Sequence, residues 1–191
     1  LYKNPADPSI LQFPEQPAHG HAISYAANAH VFVGLPSLDR SFGDGTSQTI
    51  ILAEHYFWCG PTISTYGITD PYKGPSRRPT FADGGPILNG ANPGDVYPVT
   101  SGLPVVTRPS RPGVTFQVQP RPWIPDKPAA DGPRSPGRGE CDTSLPQTPY
   151  AGGMLVVLAD GSVRTIRLSV TPETFWAAVT PAGGEVLGGD W

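Results

Sequence analysis

Apolar residues fall into short runs separated by turn signals, and two of these runs lie on either side of an Asp-Gly pair. The stretch MLVVLADGSVRTIRL places apolar residues before and after Asp160-Gly161. Asp-Gly between apolar runs is a strong hairpin signal, because a type I′ turn needs positive φ at both central positions. Val163 and Ile166 break the strict alternation, so a bulge is expected near the turn. A third apolar run, 49–53, is rich in β-branched residues and predicts a buried strand.

Near the end of the chain, the signals for strands give way to signals for a helix. Thr171-Pro172-Glu173 reads as an N-cap followed by proline at the first helical position. A short helix is predicted over 175–179, and Pro181 with Gly183-Gly184 ends it. Two more strands are predicted, one within 21–33 and one within 114–120, where Val114, Phe116 and Val118 alternate with polar residues.

These elements predict an α+β fold dominated by antiparallel β-structure. The C-terminal hairpin and the strand that follows Asp44 are expected to form the sheet. The chain holds 23 Gly and 25 Pro among 191 residues, and they are densest in its middle. We therefore expect one globular head over residues 1–191, with 61–140 as a long Pro/Gly-rich, loop-rich surface insertion.

The charge balance excludes one class of partner. The net charge is −3 with scattered Lys and Arg, so the basic stripe of a nucleic-acid binder is missing. The sequence contains no apolar run of membrane-spanning length and no signal peptide. Because it opens on Leu1, we expect it to begin partway into a longer precursor.

Cys59 and Cys141 are the only cysteines of the chain. No CxxC pair is present, which excludes a cysteine-based zinc or redox motif. Two interpretations stay open: two buried free thiols, or one disulfide that clamps the ends of the Pro/Gly-rich middle. In the chain-entropy view such a clamp would stabilise the fold by roughly 4–5 kcal/mol, and it suits an oxidising compartment.

Turn and metal chemistry compete at the Asp-Gly pairs. Asp44-Gly45 and Asp160-Gly161 are expected to be structural turns, with calcium binding by Asp44 and Asp160 as the minority alternative. The histidines His19, His21, His30 and His55 have no spacing that fixes a metal site. We therefore expect no cofactor and no metal.

Catalytic motifs are missing from the sequence. There is no GxSxG, HExxH, SxxK or phosphate-binding glycine loop. The acids Glu54, Glu173 and Glu185 have no visible partner of opposed role. Tryptophans more often fill a core than stack on sugars, although Trp123 in the insertion is a candidate for ligand binding. The sequence therefore favours a protein that is not an enzyme.

Several segments, taken in order, resemble a known family. They are NPADPS, ISYAANAHVF, FGDGTSQTIILAE, CD, QTPYAGGMLVVLADGSVRTI and TFWAAVTPAGGEVLGGDW. They are similar to bacterial exported proteins that have a prepilin-type N-terminus and a domain of unknown function of type II secretion pseudopilin G-like character. That family's C-terminal signature is His, nine residues, then Asp-Gly. The resemblance covers roughly residues 1–60 and 140–191.

The sequence departs from that pattern at two positions. Tyr150 stands at the signature histidine, ten positions before Asp160, and Asn4 stands where the family suggests a cysteine. Any ligand or proton-transfer role of that histidine is then missing here. Without a cysteine at position 4, Cys59 and Cys141 are each other's only partners.

The resemblance implies a structural role. It implies an upstream hydrophobic helix that inserts into the membrane and packs in a filament, giving an exported, envelope-located protein (periplasm or cell surface) anchored in its full-length form. The predicted function is a structural assembly subunit of a type II secretion or surface filament, with protein partners in self-assembly or the secretion machinery. The alternative is an extracellular binding module that recognises glycan or protein through the insertion.

Overall fold

The structure is a computed structural model of the 191-residue chain. It describes residues 3–11, 23–32, 36–59, 62–64, 76–77, 80–82, 88–89, 115–121, 141 and 145–191. Among the residues that the sequence singled out, His19, His21 and Trp123 lie outside these ranges. Two helices and eleven short strands occur in them. In chain order they are α1 (Pro8–Leu11), β1 (Tyr25–Asn28), β2 (Ile50–Glu54), β3 (Trp58–Cys59), β4 (Thr62–Ser64), β5 (Ser76–Arg77), β6 (Thr80–Phe81), β7 (Leu88–Asn89), β8 (Gln117–Val118), β9 (Gln147–Thr148), β10 (Met154–Leu158), β11 (Val163–Ile166) and α2 (Pro172–Val179).

A five-stranded sheet in the order β11-β10-β2-β1-β6 forms the centre of the molecule. All neighbours in it are antiparallel except β1 and β6, which are parallel. The predicted α+β class with mostly antiparallel β-structure is therefore confirmed. The predicted pairing is also confirmed, because the β10–β11 hairpin lies directly beside β2, the strand that follows Asp44.

Alternation along β10 turns one face of the sheet toward the core. Met154, Val156 and Leu158 are buried, whereas Leu155 between them is exposed. Phe175 from α2 packs against this face and stacks edge-on with Trp176, with ring centroids 5.3 Å apart. An edge-to-face pair of this kind adds to the stabilisation from the buried area.

Helix α2 begins and ends as its sequence predicts. Thr171 is the N-cap, and its hydroxyl accepts a hydrogen bond from the Thr174 amide, with Pro172 in the first turn. At the other end, the buried Asn28 side chain donates to the carbonyls of Ile50 and Val179, each at 2.7 Å. One amide therefore ties the last turn of α2 to the centre of the sheet.

The 61–140 segment contributes to the sheet and to the core. Strand β6 lies beside β1, and Phe81, Ala82 and Phe116 are part of the main hydrophobic cluster. The predicted strand at 114–120 shortens to β8; Phe116, directly before it, is buried, but Val118 within it is exposed, so the predicted alternation is wrong at Val118. The strand ends at Val118 because Gln119 adopts φ of +45°, which departs from the extended backbone.

Two smaller sheets complete the described backbone. One has the order β3-β4-β5-β7, and the other pairs β8 with β9 in parallel. None of the described helices is both long and apolar enough to cross a membrane.

Candidate functional site

The Asp44 turn is a structural clamp. Its two carboxylate oxygens accept the backbone amides of Gly183 and Gly184, both at 2.8 Å. Gly45 adopts φ of +101°, which a side chain would disfavour. The carboxylate therefore joins the loop before β2 to the loop after α2, 139 residues later in the chain.

The Asp160-Gly161 turn closes the β10–β11 hairpin with a geometry that differs from the expected type I′ turn. Only Gly161 has positive φ (+85°), and its amide donates to the Leu158 carbonyl. The Leu158 amide in turn donates to the Ser162 carbonyl. These bonds define a type I turn followed by a glycine bulge, and the extra residue explains the broken alternation at Val163.

Asp160 organises this turn through one oxygen. Its Oδ1 accepts both the amide and the hydroxyl of Ser162, at 2.8 and 2.6 Å, and these bonds hold the Asp160 pKa below its ordinary value. The Asp160 amide also donates to the Thr46 carbonyl, so the two Asp-Gly turns are neighbours. Within the described ranges, no three His, Cys, Asp or Glu side chains lie close enough together to hold a metal.

A buried carboxylate, for which the sequence showed no partner, lies at the end of β2. The Glu54 side chain has no exposed surface. It accepts hydrogen bonds from Asn4 Nδ2 (2.8 Å), Thr148 Oγ1 (2.8 Å) and the Leu155 amide (2.9 Å). Desolvation by burial raises the Glu54 pKa, and the three donors oppose that rise.

Tyr150 joins this network from its exposed rim. Its hydroxyl donates to Asn4 Oδ1 at 3.1 Å, and the Ala6 amide donates to the same oxygen at 3.0 Å. Asn4 and Tyr150 are thus in direct contact, and the Tyr150 side chain serves as a hydrogen-bond donor to the N-terminal segment.

A second buried carboxylate, Asp7, fixes the same N-terminal segment. Its Oδ1 accepts the amide and hydroxyl of Ser9, at 2.9 and 2.6 Å. Its Oδ2 accepts the Ser24 hydroxyl at 2.8 Å and the Phe57 amide at 2.9 Å. We name Asn4, Asp7 and Glu54 the anchor residues, because together they bind residues 4–9 to β1, β2 and the loop after β2.

Tyrosines surround the anchor residues. Burial, with a smaller contribution from the Glu54 carboxylate, raises the Tyr25 pKa. Burial likewise raises the pKa of Tyr56, with Asp7 and Glu54 adding to the effect. These phenols therefore remain protonated and uncharged over the physiological range, in which they can donate hydrogen bonds but not act as bases.

The remaining predicted site residues are the two cysteines and Trp123. Cys141 is buried beside Tyr56. Cys59 is the only other cysteine of the sequence, but its side chain lies outside the described residues, so the pairing stays a prediction. Trp123 also lies outside them.

Sequence reasoning missed the bonds between the anchor residues and the sheet because most of them join residues far apart in the sequence. Asn4 and Thr148, which bind the Glu54 carboxylate, are 50 and 94 residues away from it. One signal was available: an acidic residue directly after the apolar run IILA continues a buried strand. A charge in such a position needs partners.

No known protein family, curated protein or solved structure matches this chain.

Proposed function

We propose that this chain is the globular head of an exported, pseudopilin-like assembly subunit, with a structural and not a catalytic role. The full-length protein would be anchored in the cell envelope by an upstream hydrophobic helix and would meet its protein partners there. The resemblance to the pilin-like family suggests this role, and the anchor residues support it.

The observation that carries the proposal is the attachment of the N-terminal segment. Asn4 and Asp7 are 3% and 1% exposed, and their side chains are bonded to the sheet through Glu54, Ser24 and the Phe57 amide. Buried hydrogen bonds to charged groups contribute about 1.5–3 kcal/mol each. A segment held in this way keeps one orientation relative to the head.

That rigidity is what an assembly subunit needs. If a helix upstream of residue 3 packs in a filament, its position is transmitted to the head only when the connection cannot swivel. Asp7 bonds to Ser9 within the segment and to Ser24 and Phe57 outside it. Glu54 bonds to Asn4 of the segment and also to Thr148 and Leu155, which lie on either side of the start of β10. The two carboxylates thus connect the segment to the head, in keeping with a structural role.

The test compares the isolated 191-residue chain with the full-length, processed protein. We expect the isolated chain to sediment as a monomer at micromolar concentration, and the full-length protein to form higher species in cross-linked envelope fractions. In the full-length protein, Glu54→Gln should weaken cross-linking at temperatures where the head is still folded by circular dichroism. The double variant Asn4→Asp/Glu54→Gln, which restores a donor–acceptor pair, should recover it.

Three results would contradict the proposal. One is a stable oligomer of the isolated chain with more than about 1,000 Å² of interface, since assembly would then lie in the head. Another is cross-linking that Glu54→Gln leaves unchanged. The third is turnover of any substrate that is lost when one polar residue is replaced.

A further inference from the structure

Strand β11 is a free edge of the five-stranded sheet. It is the outermost strand beside β10, and in the described ranges no strand pairs with its other side. The Val163 side chain is 67% exposed. A free edge presents backbone donors and acceptors that can pair with an added strand.

The hairpin bonds show which backbone groups point outward. Leu158 donates to the Ser162 carbonyl, so Ser162 faces β10. Antiparallel ladders alternate, so Arg164 also faces β10, while Val163 and Thr165 direct their amides and carbonyls away from it. The bonds on the other side of β10 follow the same alternation. Leu155, which lies opposite Thr165, directs its amide away from β11 and donates to Glu54 at the end of β2.

An open groove of about 670 Å³ runs beside this edge. It is lined by both β11 and the C-terminal segment, chiefly Ser162, Val163, Arg164, Gly188, Gly189 and Trp191. Trp191 packs partly onto the core and forms an apolar wall of the groove. The volume is in the range of ligand-binding clefts.

The charge along the edge is positive. The Arg164 guanidinium lies 4.9 Å from the centroid of the Trp191 ring, and Arg167 follows the end of β11. Neither arginine forms an ion pair with any carboxylate that the structure describes. Asp190 lines an adjoining cleft with both arginines; its carboxylate accepts the Thr174 hydroxyl and the Thr171 amide, which lower its pKa to about 2, so it offsets one of the two positive charges and leaves the other.

From these observations we infer that β11 binds an extended peptide segment that carries an acidic side chain. The segment adds to the sheet as a further strand, bonds to the outward groups of Val163 and Thr165, and places its carboxylate against Arg164. Pairing of β11 with β11 of a second copy is disfavoured, because an antiparallel pair centred there opposes Arg164 to Arg164. Such a peptide site would serve a binding module as well as an assembly subunit, so it does not depend on the proposed function.

The experiment uses a defined probe: an acetylated, amidated hexapeptide that alternates valine and glutamate. Amide hydrogen exchange followed by NMR should slow at Val163 and Thr165 on addition of the peptide and stay unchanged at Arg164. The matched peptide that alternates valine and lysine should bind at least about tenfold more weakly, since it opposes like charges. A glutamate peptide that is N-methylated at its valines, which would donate to β11 when the glutamates oppose Arg164, should lose the protection.

A matched pair of variants at Thr165 and one variant at Arg164 test the protein side. Thr165→Pro removes an outward amide without breaking the β10 ladder and should weaken binding about tenfold, whereas Thr165→Val should not. Arg164→Gln should make the glutamate and lysine peptides bind alike. The inference would be overturned if millimolar peptide gave no protection, or if the two peptides bound the unaltered protein equally. It would also be overturned if protection rose with protein concentration alone, and that result would identify a second copy as the occupant.

Discussion

The hydroxyl of Tyr150 donates a hydrogen bond to Asn4 Oδ1 at 3.1 Å, across 146 residues of sequence. Asn4 in turn donates to the Glu54 carboxylate at 2.8 Å, so the exposed rim of the network is connected to a fully buried charge. The N-terminal segment, the end of β2 and the residues before β10 therefore act as one structural unit. Each of the three side chains can be tested by a substitution that changes one bond.

Replacing Tyr150 with phenylalanine removes only the hydroxyl. Because Asn4 Oδ1 still accepts the Ala6 amide, we expect a loss of about 1 kcal/mol or less in the free energy of unfolding. Urea denaturation of the variant and the parent measures the difference. Tyr150→His would place an imidazole donor there, and it should recover part of the loss; a larger loss than for phenylalanine would show that the phenol's position matters more than its bond.

The donor and the acceptor of the Asn4–Glu54 hydrogen bond can be swapped by substitution. Glu54→Gln turns an amide group toward the Asn4 amide, so two donors face each other, and we expect a loss of about 2–3 kcal/mol. Asn4→Asp/Glu54→Gln restores an acceptor opposite a donor and should be more stable than either single variant. A double-mutant cycle by urea denaturation gives the coupling energy. Additive losses would mean that the two side chains do not interact.

Burial of Glu54 makes stability depend on pH. Its pKa is raised in the folded state, so protonation of Glu54 is more favourable in the folded than in the unfolded chain, and the stability that this adds is fully present below the ordinary value of about 4.5. That contribution is lost as the pH rises through the folded-state pKa. The stability of the parent minus that of Glu54→Gln should therefore fall as the pH increases above about 4.5. Denaturation of both proteins across this range checks the sign, and a difference that grows with pH would contradict it.

The two turn aspartates should respond differently to the same substitution. Asp44→Asn removes one of two carboxylate acceptors that bind separate amides, and we expect a loss of about 1–2 kcal/mol. Asp160→Asn keeps the single oxygen that serves Ser162, so its effect should be small. Millimolar calcium should not change the melting temperature of either variant or the parent. A rise of many degrees that Asp160→Asn abolishes would establish a calcium site through ligand linkage.

The cysteine pairing is tested by mass. We predict a bond between Cys59 and Cys141, which would close a loop of about 80 residues and stabilise the fold by roughly 4–5 kcal/mol. The intact protein should gain the mass of two hydrogens on reduction and resist alkylation beforehand. Two thiols that alkylate freely in the native, unreduced protein would exclude the bond.

The sequence by itself determined where α2 begins and where β2 and the hairpin lie, since these features depend on residues that are close together in the chain. The cap Thr171 with Pro172 specifies where α2 begins, and the run at 49–53 specifies β2, because capping and β-branched packing act over a few residues. Asp160-Gly161 likewise fixed the position of the hairpin. Its turn type was decided by the tertiary structure around it: β10, which leads into the turn, shifts its register with β2 between Val157 and Leu158.

Tertiary structure alone decided the roles of the anchor residues. Glu54, read along the sequence, is an acid without a partner, because its donors come from residues 4, 148 and 155. They are assembled only when β2 is buried between β1 and β10, which removes water and leaves the carboxylate to be satisfied by side chains and one backbone amide. In the same way, the free backbone groups of β11 follow from its place at the end of the sheet. The sequence determined that β11 is a strand, and the order of the strands determined that its outer edge is open.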